Sequence, residues 1–147
     1  TMYHEEGIGL AAPQVGHNIR LCIIGKDADK SLKEDLILVN PNFERTSRKT
    51  NTDTEGCLSV PFQFGKTKRS TDLLVTAWDR HGNPLKFEAH KFFARVTQHE
   101  IDHLNGTLFV DKATGMYEVT PEERLERVKK IKTERKEKYP DSYAGKD

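Results

Sequence analysis

Apolar residues in this chain follow two periods. Up to residue 90 they come in short runs bounded by glycine, proline and asparagine. Ile19 to Gly25 (Ile-Arg-Leu-Cys-Ile-Ile-Gly) and Leu36-Ile37-Leu38-Val39-Asn40 read as strands, the second stopped at Pro41. Asp72 to Asp79 and Pro84 to His90 flank Arg80-His81-Gly82-Asn83 and predict a β-hairpin. Arg45 to Thr54 is polar and reads as an exposed strand or loop; Phe62 to Ser70 is basic and reads as turn-like. From Lys91 the period becomes helical. Phe92, Val96, His99 and His103 recur at spacings of four, three and four and share one stripe. The helix is expected to run to about Asn105, with Gly106 as its C-cap. Leu108 to Asp111 reads as a short extended piece followed by a loop. Thr120-Pro121-Glu122-Glu123 then opens a second helix, with a threonine N-cap, proline first and acidic residues in the first turn. It runs to about Lys138 and stops at Pro140, leaving 140–147 as a tail. Its apolar stripe, Leu125, Val128 and Ile131, is narrow.

Composition narrows the class. A chain of 147 residues suits one domain with its own core, spanning 1–147. The hydrophobic fraction is 35% and the charged fraction 32%, with much of the charge in the second helix. The net charge of +1 gives no global argument for nucleic acid, DNA included. Two cysteines, Cys22 and Cys57, are too few for a disulfide scaffold and point to a reducing compartment. Cys22, among apolar strand neighbours, reads as a buried thiol. No apolar run reaches the length of a membrane span. Thr1 to Gly7 reads as the last turn of a helix closed by a glycine, so residues are expected to be missing ahead of Thr1.

The chemistry concentrates in Gln98-His99-Glu100-Ile101-Asp102-His103-Leu104. Residues four apart share a helix face, so His99 and His103 can turn imidazoles to one metal ion. Glu100 stands about 100° further round, near the metal as a proton carrier. A catalytic site of this type needs a third protein ligand. The peptidase pattern that extends this motif would place a histidine where the chain has Phe109. Glu118, Glu122 and Glu123 lie in a polar, capped segment. Cys57, in Glu55-Gly56-Cys57-Leu58-Ser59-Val60-Pro61, reads on its own as nucleophile, ligand or buried hydrophobe, and is the soft ligand that remains. Gly7-Ile8-Gly9-Leu10-Ala11-Ala12-Pro13-Gln14 lacks the third glycine of a dinucleotide fingerprint and reads as a turn ending in one polar side chain. His4, His17, His81 and His90 read as solvated.

Gly7–Gln14, Glu55–Ser59 and Gln98–Leu104 together resemble the three signature motifs of the peptide deformylase family, in order and at compatible spacing. The resemblance extends from Thr1 to about Asp111. It implies an α+β fold, with antiparallel β-sheets packed around a central metal-binding helix, and the strands, hairpin and helices read above agree with it. It implies Cys57, His99 and His103 as metal ligands, with Fe2+ the usual ion and Zn2+, Ni2+ or Co2+ able to replace it. The implied reaction removes the formyl group from N-formylmethionyl nascent peptides and releases formate. Glu100 would move the proton, and the Gln14 amide with the Leu58 backbone N–H would stabilise the oxyanion. Ile8 and Gly9 would hold the substrate backbone, and Phe92 and Val96 would form part of an apolar slot for methionine. A cytoplasmic enzyme, bacterial or phage-encoded, is expected, and an organellar one stays open.

Two departures accompany the resemblance. The family carries a segment ahead of the first motif, and it has an arginine near the position of Phe62-Gln63-Phe64-Gly65. Two other classes stay open: a His-Glu-x-x-His metallopeptidase, and a non-catalytic relict associated with the ribosome. For the basic C-terminal helix, a solvated helix packed on its own domain competes with a ribosome contact.

Overall fold

The computed structural model describes residues 8–57 and 59–145. The helix end read over Thr1 to Gly7, with His4, lies outside them, as does Leu58. The fold is α+β. In chain order it runs β1 (Gly9–Ala11), β2 (Leu21–Ile24), β3 (Leu36–Arg45), β4 (Thr50–Cys57), β5 (Val60–Ser70), β6 (Asp72–Trp78), β7 (Pro84–His90), α1 (Lys91–Leu104), β8 (Thr114–Glu118) and α2 (Pro121–Lys138). One antiparallel sheet has the order β1-β2-β3-β6-β7 and the other β4-β5-β8. Helix α1 packs against the strands of the first sheet and against β5 of the second, so it is central.

Four boundaries differ from the sequence reading. Pro41 does not end its strand: β3 continues to Arg45, and an irregularity in its pairing with β6 between Val39 and Asn42 accommodates the missing N–H. Phe62 to Ser70 is not turn-like but the main part of β5, the longest strand among the described residues. Its inward residues include Thr67 and Arg69, both buried, while Lys66 and Lys68 face outward. Polar groups on the inward face erased the hydrophobic alternation that marks a strand. Phe109–Asp111 is a 3-10 turn rather than extended, because Asp111 accepts the Leu108 N–H at 2.9 Å and closes it. The following loop contains β8, which pairs with β5.

The core joins Cys22, Leu38, Leu73, Val75 and Ala89 of the first sheet to Phe92, Phe93 and Val96 of α1. Phe87 and Phe93 stack at 5.6 Å. The 140–147 stretch is no free tail over its described part. Tyr139 and Tyr143 are buried against Phe92, with ring centroids 5.7 and 5.1 Å away. Backbone bonds Lys30 N–H to Ser142 O (2.6 Å) and Ala144 N–H to Asp27 O (3.1 Å) secure the segment. Among the described residues no helix is long and apolar enough to cross a membrane.

Candidate active site

The end of β4 and the middle of α1 bring three donor atoms together. Cys57 Sγ lies 3.1 Å from His103 Nε2, which lies 3.2 Å from His99 Nε2. The three ligand atoms all fall within 4.8 Å of one another. Metal bonds of about 2.0–2.3 Å set the donors of a tetrahedral site roughly 3.3–3.8 Å apart, so this cluster has the size and the donor chemistry for one divalent ion. A fourth position would be left for water or substrate.

The groups around the cluster prepare it. Glu55 Oε1 takes the Nδ1–H of His99 at 2.9 Å, which fixes the tautomer and leaves Nε2 for an ion. Burial opposes ionisation of Cys57, but hydrogen bonds with His103 and His99 outweigh it and bring the thiol down to about 5. The thiolate is the form that binds metal. Burial likewise opposes the charge on His99, yet its bonds to Cys57 and Glu55 raise it to about 10. A cation entering the cluster would displace that proton, so binding is coupled to proton release. Cys22, read as a buried thiol, is fully buried, and burial pushes it far up.

Sequence reading missed the charged network behind the ligands. Glu55 is buried and accepts from Arg69 Nε at 3.0 Å, Arg69 Nη2 at 2.9 Å and Arg95 Nη1. Burial would raise its carboxyl, but the bonds from His99 and Arg69 dominate and hold it well below the usual range. Arg95 also donates to Thr67 O at 2.8 Å and to Asn51 Oδ1 at 2.8 Å. Asp102 joins Arg69 Nη1 (2.6 Å) to Lys112 Nζ (2.8 Å). One signal was available. Arg95 and Asp102 flank His99 at i−4 and i+3 on a helix whose other neighbours pack into the core.

Glu100 is 2% exposed, and its Oε1 has no hydrogen-bond partner among the described residues. That oxygen stands 3.9 Å from His103 Nε2. Burial, opposed by His99 and His103, pushes this carboxyl up to about 7. A group poised there can both take and give a proton near neutrality. Gly9 makes room for it: a Cβ at residue 9 would stand 2.5 Å from Glu100 Oε2. Gln14 is oriented too. Its Oε1 accepts the Ala11 N–H at 2.7 Å, which turns Nε2 to within 3.4 Å of Cys57 Sγ and 3.1 Å of Ser59 Oγ. Ile8, Gly9, Phe92 and Val96 line the same pocket as Cys57 and His99. Leu58 lies outside the described residues. The solvated reading holds for His17 and His81; His90 is exposed but bonds Asp72 Oδ1 at 2.7 Å.

Residues 1–118 match the family model for polypeptide deformylase. Peptide deformylase 2 of Gloeobacter violaceus is 42% identical over 122 residues, covering 83% of this chain and 65% of that protein. The peptide deformylase of Synechocystis is 47% identical over 112 residues, 76% of this chain and 60% of that protein. The chain thus spans somewhat under two thirds of these relatives' length. The crystal structure of peptide deformylase from Thermotoga maritima superposes with a TM-score of 0.71 at 37% identity, covering 78% of this chain and 74% of that one. A peptide deformylase from Synechococcus elongatus, solved in complex with actinonin, gives 0.71 at 39% identity, with 90% and 67% covered. The family match takes in both segments that build the ligand cluster, and on that ground the chain belongs to the polypeptide deformylase family.

Proposed function

We propose that this protein hydrolyses the N-formyl group from the formylmethionine of newly synthesised polypeptides and releases formate. The observation that carries this reading is a buried Glu100, its Oε1 without a hydrogen bond among the described residues, beside a Cys57-His99-His103 cluster. A divalent ion held by those three residues would supply Lewis-acid polarisation of the formyl oxygen and acidify a water. We assign Fe2+ by resemblance, with Zn2+, Ni2+ or Co2+ as substitutes; a Cys-His-His set suits several of these ions.

The chain's own groups do the rest. Glu100 takes the proton of the attacking water and returns it to the leaving amine, as its position near neutrality allows. The Gln14 amide, held in one orientation by the Ala11 N–H, donates to the developing oxyanion together with the Leu58 backbone N–H. Main-chain groups of Ile8 and Gly9 align the substrate backbone. Phe92 and Val96 face the methionine side chain. We place the enzyme in a bacterial cytoplasm, encoded by the bacterium or a phage, as one continuous domain. The His-Glu-x-x-His peptidase reading gains nothing here. It needs a ligand downstream of α1, and the third ligand atom in the cluster belongs to Cys57.

The test is formate release from a formyl-Met peptide by protein loaded anaerobically with Fe2+ or Ni2+. Cys57→Ala should lose both metal and activity; retention of both would overturn the assignment. Ribosome docking through α2 is a second proposal. Steeply salt-dependent ribosome binding, lost when the exposed Lys129 and Lys130 are both changed to Glu, would support it.

A further inference from the structure

By its sequence α2 has only a narrow apolar stripe and no part in the site. In the structure that stripe borders the pocket: Val128 and Ile131 line the same cavity as Cys57, His99, Phe92 and Val96. The helix is held there at several points. Arg124 Nε donates to Pro61 O at 3.0 Å, the Arg127 guanidinium stands 5.1 Å over the Tyr117 ring, and that of Arg135 stands 4.7 Å over Phe92. Tyr139, directly after the helix, is buried in the core. Ile131 is 7% exposed, while Val128 is half-buried and faces open pocket. The cavity is about 110 Å³. Cavities of roughly 150 Å³ admit one benzene-sized group, so this space fits one side chain rather than a length of peptide.

We propose that α2 forms a wall of the first-residue pocket, and that Val128, backed by Ile131, sets the length and shape of side chain admitted beside the metal ligands. The proposal rests on the deformylase reading and deepens it. Phe92 and Val96 on α1 give the pocket one apolar side, and Val128 gives it another from the far end of the chain. Specificity at this position is therefore set by a segment separate from the three motifs that carry the chemistry. An unbranched thioether chain fits against the apolar side made by Phe92, Val96, Val128 and Ile131, while Arg124 and Arg135 also line the cavity from α2. Adding or removing carbon at Val128 changes the slot without touching Cys57, His99, His103, Glu100 or Gln14.

The test compares formyl-Met-Ala with formyl-Ala-Ala and formyl-Phe-Ala peptides on metal-loaded wild type, Val128→Phe and Val128→Ala. Removing or crowding a methylene-sized space in an apolar pocket changes kcat/KM by about 10–200-fold. Val128→Phe should lower the Met/Ala selectivity ratio by at least about tenfold, mainly through KM. Val128→Ala should move selectivity toward side chains bulkier than methionine. Independently of turnover, the methyl NMR signals of Val128 and Ile131 should shift when formyl-Met-Ala is titrated into wild type. If selectivity is unchanged in the variants, or if those methyls do not respond while the peptide binds, the proposal is overturned. Should Val128→Phe not fold, Val128→Ala and the methyl titration decide. A wild type that binds but does not turn over overturns the deformylase reading alone; one that neither binds nor turns over removes both.

Discussion

The two helices have opposite relations to their sequences. Helix α1 carries Arg95, Thr97, Gln98, Glu100, Asp102 and His103, and buries every one of them. Helix α2 is polar at 14 of its 18 positions, against 8 of 14 in α1, and buries only Ile131. The difference is one of partners. Around α1 almost every charge meets a fixed opposite: Glu55 between Arg69 and Arg95, and Asp102 between Arg69 and Lys112. Gln98 is held through Ser70 N and O at 3.1 and 2.8 Å. Glu100 Oε1 stands apart from this pairing. A central helix can hold a reactive centre because its surroundings have already met the cost of burying charge. Helix α2 leaves most of its charges in water, and offers the pocket Val128 and Ile131 flanked by the half-buried Arg124 and Arg135.

The largest effects should come from removing a partner around α1. Glu55→Ala leaves two guanidinium groups buried without their shared carboxylate and frees His99 Nδ1. A broken buried pair costs about 3–5 kcal/mol, and loss of such outer support lowers metal affinity roughly 10–100-fold. Thermal unfolding and metal titration would read both. If Glu55→Ala unfolds like wild type, the contrast between the helices loses its basis.

Glu100→Gln should act differently. It keeps the shape and removes a buried carboxyl without a partner on Oε1, so stability should hold or rise, while activity falls by about 10²–10⁴-fold. A loss of both together would place Glu100 among the structural charges instead. The pH profile follows from the same residue. Glu100 must be ionised to take a proton, and its carboxyl sits at about 7 through burial. Activity should therefore rise with pH and level off above that value. A neighbouring cation favours the ionised form, so in the metal-loaded enzyme the rise should fall at or below about 7. A rise well above that value in the loaded enzyme would contradict the assignment.

On α2 the expected effects are small. Thr120 Oγ1 accepts the Glu123 N–H at 3.2 Å, and Glu123 returns to the Thr120 N–H at the same distance. Thr120→Ala should cost about 1 kcal/mol in denaturant unfolding, with activity falling only as far as the α2 wall loosens. Leu125, exposed although it belongs to the predicted stripe, should tolerate Leu125→Ser within about 0.5 kcal/mol. A larger loss there would mean that this face of α2 is covered.

What the sequence determined was local. Histidines four apart on a helical period put two imidazoles on one face whatever surrounds them, and alternation around Gly82-Asn83 yielded the β6–β7 hairpin. Thr-Pro-Glu-Glu placed the start of α2 at the residue observed. Three motifs sufficed to name Cys57, His99 and His103, which the fold gathers into one cluster. What only the tertiary structure decided involves groups far apart in the chain. Thr67 and Arg69 face inward because Arg95, Glu55 and Asp102 wait for them there, and no hydrophobic period reports a strand whose inner face is paired charge. β8 exists because β5 offers it an edge. Val128 belongs to the pocket because Tyr139 and Tyr143 anchor the chain's end beside Phe92. Local periodicity records which face of an element is apolar. It does not record which distant partner makes a polar face equally content to be buried, and in this protein such partners hold the helix face that carries His99 and His103.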